Sequence, residues 1–147
     1  MSKWNYSSHA KSYDKRAEYS IIAISKLIKK IKLKKNSEIL EIGAGTAKLS
    51  KILCKLNFNL TATEPNKEII KFGKKNTNKF TNINWIKCSA EKLKLNKRFK
   101  VVFFGSSFNV INKKKFFKKC KNILDKNGHI VCMWNHRNLK DPQQKKN

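Results

Sequence analysis

Two glycines in the first half of the chain have the type and spacing that suit a ligand-binding turn. Gly43 and Gly45 follow the apolar run 39–42 and precede a helical apolar pattern over 49–56. A glycine lacks Cβ, so it takes positive φ cheaply and lets a ligand approach the backbone closely. A helix that starts just behind such a turn offers unpaired N–H donors and a positive dipole end. The stretch therefore predicts a buried strand, a tight turn and a helix that bind a polar group.

A carboxylate follows this turn at about the sequence distance at which nucleotide-binding α/β folds place an acidic residue for the ribose. Glu64 lies about twenty residues after Gly43, at the end of the alternating stretch 58–64. An ionised carboxylate only accepts hydrogen bonds, and it can take two hydroxyl donors side by side. The alternative is a carboxylate at a helix entry, next to Pro65. The chain holds only 9 Asp and Glu residues, so we do not expect a carboxylate at this point merely as part of a charged surface. With the glycine turn upstream, we favour contact with the ribose of a nucleoside cofactor.

Spacing narrows the kind of nucleoside cofactor. A triphosphate-binding loop needs Gly-Lys-Ser/Thr, and no such ending follows Gly45. A dinucleotide fingerprint needs a third small residue where this chain has Lys48, which weakens that interpretation without removing it.

Four segments resemble the class I S-adenosylmethionine-dependent methyltransferases. The pattern Glu41-x-Gly43-x-Gly45 is similar to their motif I, with Ala47 at the usual third small position. Residues 10–16 resemble the A-x-x-Y-D-x-R segment that folds over the cofactor as a lid. Residues 89–91 resemble the adenine loop after the third strand, and residues 105–112 resemble the region of motif IV. The type 11 small-molecule group is the most similar.

This resemblance implies that S-adenosyl-L-methionine is the cofactor and that a small molecule accepts the methyl group. It implies that Glu41 orients the amino end of the cofactor, that Glu64 holds the ribose, and that Ala90 with Ser89 or Glu91 holds adenine. No catalytic residue is assigned. The implied cofactor-binding residues are Tyr13, Arg16, Glu41, Gly43, Ala44, Gly45, Glu64, Pro65, Ser89, Ala90, Glu91, Gly105 and Ser106.

The alternation of apolar stretches predicts an α/β fold with a doubly wound, mostly parallel sheet. Residues 1–18 are interpreted as the lid segment and residues 19–147 as one Rossmann-like core of about five strands, without the last two strands of the family's usual seven. Expected strands are 39–42, 58–64, 83–88, 101–105 and 129–135; expected helices are 19–33, 66–76 and one that begins after Asn112 and ends at Gly128. Ile21, Ile24, Ile28, Ile31, Phe116, Phe117, Cys120, Ile123 and Leu124 are expected on buried helix faces.

The charge is strongly unbalanced, with 35 Lys and Arg against 9 Asp and Glu, for a net charge of +26. Such a charge promotes nonspecific binding of nucleic acid at low salt. Arginine, whose planar fork suits recognition of bases and phosphate, occurs only at Arg16, Arg98 and Arg137. Because lysine supplies the other positive charges and asparagine and isoleucine are abundant, we favour AT-rich coding over a nucleic-acid partner as the source of the charge. The four cysteines lack CxxC spacing, which gives no indication of zinc.

No membrane helix or signal peptide is apparent, and we expect a cytoplasmic protein; the oligomeric state is not predicted. The alternatives left open are an RNA-directed methyltransferase, a basic RNA-binding protein and a nicotinamide-dinucleotide oxidoreductase, since the dinucleotide carries the same ribose.

Overall fold

Five strands with helices between them make up residues 17–135, the part of the chain that the structure, a computed structural model, describes. The elements are α1 (Ile21–Lys30), β1 (Glu38–Ile42), α2 (Lys48–Lys55), β2 (Asn59–Thr63), α3 (Lys67–Asn76), β3 (Ile83–Ile86), β4 (Phe99–Gly105), α4 (Lys113–Ile123) and β5 (Leu124–Met133). Strands and helices alternate along the chain as the apolar pattern predicts, except between β3 and β4, which a loop with the short 3-10 turn Ala90–Lys92 connects.

The sheet has the order β3-β2-β1-β4-β5, and every neighbouring pair is parallel. Strand β1 lies at the centre, where Ile39 is in register with Leu60 of β2 on one side and Val101 of β4 on the other. The strand order therefore reverses between β1 and β4. In open parallel sheets a ligand crevice forms at such a reversal, outside the carboxyl ends of the strands.

The core lies on both faces of the sheet. On one face Val101 and Phe103 of β4 pack in a cluster with Ile24 of α1 and Leu49 of α2. On the other face the alternate strand residues pack with Phe116 of α4. Strands covered on both sides become nearly continuous apolar runs, which is what residues 101–104 are. The doubly wound parallel sheet is thus confirmed.

Two residues expected on buried helix faces are largely exposed instead. Ile21 is 48% exposed because it lies in the first turn of α1, and the helix contacts the core through Ile24 and later residues. Phe117 is 46% exposed. It follows Phe116 directly, so it points about 100° away around the helix, and only one of the two rings can face the sheet.

The prediction that Gly128 ends helix α4 is wrong. The helix ends at Ile123, and Leu124 already has extended backbone angles, φ −97° and ψ 135°. Gly128 lies within β5, outside the left-handed region. A Cβ on Gly128 would come within 2.7 Å of the Leu124 side chain. The glycine therefore leaves room for the Leu124 side chain at the irregular start of β5, where the register with β4 shifts between Phe99 and Val101, and it is not a helix stop.

No helix in the range 17–135 is both long and apolar enough to cross a membrane.

Helix α3 approaches the glycine turn through Gly73. A Cβ at Gly73 would lie 2.4 Å from the Trp85 ring and 2.8 Å from the backbone oxygen of Gly45. Glycine within a helix costs about 1 kcal/mol relative to alanine. The close approach of α3 to β3 and to the turn explains why this position nevertheless holds glycine.

We expect Gly73→Ala to destabilise the protein by about 1–3 kcal/mol, because the added methyl group overpacks a rigid backbone contact. Urea unfolding gives the free energy of unfolding for this comparison. The control is Lys74→Ala at the next, exposed position of α3, which should change stability by less than about 0.5 kcal/mol. A more stable Gly73→Ala protein would contradict the packing argument.

Candidate functional site

The residues singled out from the sequence meet at the carboxyl edge of the sheet. The turn at 43–45 follows β1, Glu64 follows β2, residues 89–91 follow β3 and Ser106 follows β4. The backbone N–H of Gly45 donates to Glu64 Oε2 at 3.1 Å, and the N–H of Ala44 donates to the Thr63 carbonyl at 2.9 Å. The turn and the carboxylate are therefore in direct contact, although 19 positions separate Gly45 from Glu64.

The turn itself needs a left-handed backbone. Gly43 and Gly45 have φ values of 69° and 58°. A Cβ on Gly43 would also come within 2.7 Å of Ser107 Cβ, and the Ser107 hydroxyl donates to the Ile42 carbonyl at 2.5 Å. Ala47, at the third small position, is fully buried and shares the left-handed conformation, with φ 74°. The family resemblance already indicates glycine as the preferred residue at this position, and the positive φ gives the physical reason, since alanine is strained there relative to glycine.

Thr46 places a polar atom inside the turn. Its side chain is 2% exposed, and its hydroxyl has no hydrogen-bond partner among residues 17–135. Its carbonyl accepts from the Asn76 side chain at 2.9 Å, which ties the turn to α3. Buried hydroxyl groups usually have partners, so Thr46 is a candidate contact for a polar ligand.

Glu64 is held by two backbone donors. Its Oε2 accepts from Gly45, and its Oε1 accepts from the N–H of Asn66 at 2.9 Å, while Pro65 between them is exposed. Burial raises the pKa of Glu64, and the bonds from Asn66 and Gly45 act in the opposite direction. A carboxylate has about four acceptor positions, so this one can accept further hydrogen bonds.

Glu41 is a second buried carboxyl near the turn. It is 1% exposed and accepts a hydrogen bond from the Ser50 hydroxyl at 2.5 Å. Burial raises the pKa of Glu41 to about 8; the Ser50 bond lowers it and the charge of Glu64 raises it. Glu41 is therefore mostly neutral at pH 7.

The residues of the loop after β3 make two kinds of contact. Ala90 is buried in the cluster on the α4 face, and Ser89 is half-buried beside it. Glu91 Oε1 accepts from the backbone N–H of Asn112 at 2.7 Å, so this carboxylate attaches the loop to the start of α4. Partial burial opposes the charge of Glu91, but hydrogen bonds, above all from the Asn112 N–H, leave its pKa lowered.

The end of β4 is joined to the segment before α1. The hydroxyl groups of Tyr19 and Ser106 lie 2.9 Å apart, and Ser106 has φ 62°. A Cβ on Gly105 would lie 3.0 Å from the Tyr19 hydroxyl, so Gly105 leaves room for that ring. The sequence did not indicate Tyr19, because no spacing rule links it to Ser106, 87 positions away.

The lid residues Tyr13 and Arg16 lie outside the described residues, so their predicted contacts stay predictions. In the described part of the chain, no cluster of three or more His, Cys, Asp or Glu side chains could hold a metal ion, and the four cysteines are free thiols.

Comparisons with known proteins agree with this geometry. A family profile for the methyltransferase domain matches residues 40–132. A search of curated proteins finds no match.

Solved structures share the fold at low sequence identity. A protein from Methanococcus maripaludis that is described as an S-adenosyl-L-methionine-dependent methyltransferase has a TM-score of 0.79 and 19% sequence identity. The match covers 92% of this chain and 67% of that one. A SAM-dependent methyltransferase from Aquifex aeolicus has a TM-score of 0.76 and 18% identity, over 97% and 81%. The glycopeptide N-methyltransferase MtfA, complexed with S-adenosylmethionine, has a TM-score of 0.68 and 16% identity, over 78% and 54%.

The chain thus spans about half the length of MtfA and 67% of the Methanococcus protein. The family profile, in contrast, covers more than half of this chain. The chain belongs to the class I S-adenosylmethionine-dependent methyltransferases, in their type 11 group.

Proposed function

We propose that the protein transfers a methyl group from S-adenosyl-L-methionine to a small-molecule acceptor. The observation that carries the proposal is the contact between the Gly45 N–H and Glu64, which holds the glycine turn and a buried carboxylate together at the carboxyl ends of β1 and β2. Family membership supports the same activity, and MtfA is a relative of this fold complexed with S-adenosylmethionine.

The residues at the crevice fit this cofactor. Gly43 and Gly45 present bare backbone, which leaves space for the methionine part. Glu64 retains acceptor positions for two ribose hydroxyl groups. The buried Thr46 hydroxyl, which has no hydrogen-bond partner among residues 17–135, suits a polar group of the cofactor. For adenine we propose the backbone at Ala90, with Ser89 rather than Glu91 beside it. Glu91 already accepts from the Asn112 N–H and from the Ser89 side chain, whereas a serine hydroxyl that donates one bond can still accept another.

When bound, the cofactor supplies a methyl group that its sulfonium has already activated. The task of the protein is then alignment and exclusion of water. The linked Tyr19 and Ser106 hydroxyls would fix the crevice wall at Gly105, and Tyr13 and Arg16 would close over the cofactor. Alignment needs no covalent intermediate, so we assign no residue to a covalent step.

Apolar side chains near the end of β4 support an acceptor with an apolar part. The Phe108 ring lies 5.1 Å from the Phe104 ring and 6.2 Å from the Phe117 ring. Val110, in the same turn as Phe108, is 71% exposed. These side chains are next to the carboxyl end of β4, so an acceptor that lies against them would be close to the crevice.

Replacement of Glu64 by glutamine should weaken binding of S-adenosylhomocysteine about 10- to 100-fold, since a hydrogen bond to a charged group contributes about 1.5–3 kcal/mol. Isothermal titration measures the affinity directly. The matched control is Glu68→Gln, the same chemical change on the exposed first turn of α3, which should leave the affinity unaltered.

A folded Glu64→Gln protein with unchanged affinity would refute the ribose assignment. Titration with NADH tests the oxidoreductase alternative, because tighter binding of NADH than of S-adenosylhomocysteine would favour an oxidoreductase. A cytoplasmic location stays a prediction.

The raised pKa of Glu41 makes stability depend on pH. The unfolded chain loses this proton near pH 4.5, whereas the folded protein keeps it up to about pH 8. Between these values the unfolded state is increasingly favoured as pH rises. The contribution of Glu41 to stability is therefore complete below pH 4.5 and is lost towards pH 8.

Glu41→Gln stays neutral, so we expect its stability to rise relative to the natural protein between pH 5 and pH 8, by a few kcal/mol at most. The maximum slope of this difference is roughly 1.4 kcal/mol per pH unit. Urea unfolding at several pH values measures it, with Glu68→Gln as the exposed control. A difference that does not change with pH would show that Glu41 is charged in the folded protein.

A further inference from the structure

A basic groove lies near the amino ends of the strands, whereas the glycine turn lies at their carboxyl ends. Its polar lining consists of Lys94, Asn96, Lys97, Arg98, Lys119 and Asn122, above the apolar side chains of Leu93 and Ile123, and its volume is about 780 Å³. The segment 93–98 leads directly into β4 at Phe99, so the groove borders the amino ends of the strands. It is thus separate from the candidate cofactor site.

Positive charge dominates this basic groove. Four of its nine lining residues are Lys or Arg and none is acidic, whereas Lys and Arg make up 35 of 147 residues in the chain. The enrichment is more than an even scatter of lysines would give. Two carboxylates lie close by. Glu38 pairs with Lys97 and so offsets one of the four cations, whereas Asp125 pairs with Lys100, which does not line the groove. No carboxylate among residues 17–135 forms an ion pair with Lys94, Arg98 or Lys119.

Helix α4 ends at the basic groove, and its last carbonyl groups carry partial negative charge. Arg98 Nη1 donates to the carbonyl groups of Leu124 at 2.8 Å and Lys121 at 3.3 Å. Arginine has five N–H donors, so its remaining donors stay available beyond these two bonds. Lys119 Nζ donates to the Leu93 carbonyl at 3.0 Å, which fixes a second cation at the groove wall.

Cations with neighbouring amide side chains suit phosphate oxygens. Three of the four cations are lysines, which bind phosphate as point charges and do not read bases through a planar fork. We propose that the basic groove binds the phosphodiester backbone of single-stranded nucleic acid without regard to sequence. The net charge of +26 would speed this encounter, and the groove would be where the strand is held.

Fluorescence anisotropy with a labelled oligouridylate of about twelve nucleotides tests the proposal, at about 50 and 200 mM salt. The double variant Lys94→Gln/Lys119→Gln should bind about tenfold more weakly at the lower salt. Its slope of log affinity against log salt should fall by about 1.4, or about 0.7 for each phosphate that a lysine no longer neutralises. Lys94→Gln alone, at an exposed position, should give a smaller decrease in affinity.

The matched control is Lys74→Gln/Lys75→Gln, which removes the same net charge from exposed positions on α3. Its affinity for the oligonucleotide should fall less than about twofold. Equal weakening by the two double variants, or no salt-dependent binding by the natural protein, would overturn the proposal. Urea unfolding of each variant separates weaker binding from impaired folding. Binding of S-adenosylhomocysteine should be the same in both double variants, so the outcome does not depend on the proposed methyl transfer.

Discussion

The hydrogen bond from the Gly45 N–H to Glu64 is the interaction on which the candidate site depends. A buried carboxylate is costly unless donors compensate its charge, and Gly45 and Asn66 provide two backbone donors. Gly45 can do so only because positive φ values at Gly43 and Gly45 turn its N–H towards β2. The turn geometry and the charge of Glu64 therefore stabilise each other. The same bond joins the end of β1 to the end of β2.

Packing restricts the turn from two further sides. Ser107, after β4, lies where a side chain on Gly43 would be, and Gly73 of α3 lies against the carbonyl of Gly45. The glycines at 43 and 73 are thus required by the protein's own packing, whatever the ligand. A glycine motif of this kind combines two requirements, close approach of neighbouring elements and close approach of a cofactor.

Periodicity was enough to predict the parallel sheet, because strands buried on both faces become apolar runs such as 101–104. Spacing from Gly43 was enough to place Glu64 at the shared edge. Features that depend on contacts distant in sequence were not predictable: the bond between Tyr19 and Ser106, and the bond from Asn112 to Glu91. Gly128 was misassigned because a helix stop and an irregular, closely packed strand start both select glycine, and only the position of Leu124 distinguishes them.

The amino ends of the strands border the basic groove, whereas the carboxyl ends carry the buried carboxyl groups of Glu41 and Glu64. This difference in charge helps to explain how a cationic cofactor could bind a protein with a net charge of +26. In physiological salt, exposed charges more than about 8 Å apart are largely screened, so distant lysines repel a sulfonium only weakly. Buried groups are screened much less, and the buried groups near the turn are Glu41 and Glu64. Glu64 adds to the raised pKa of Glu41, so the two share less than two full negative charges near neutral pH. A cation beside them would favour loss of the Glu41 proton. Binding of the cofactor and ionisation of Glu41 should therefore promote each other, despite the positive charge of the rest of the chain.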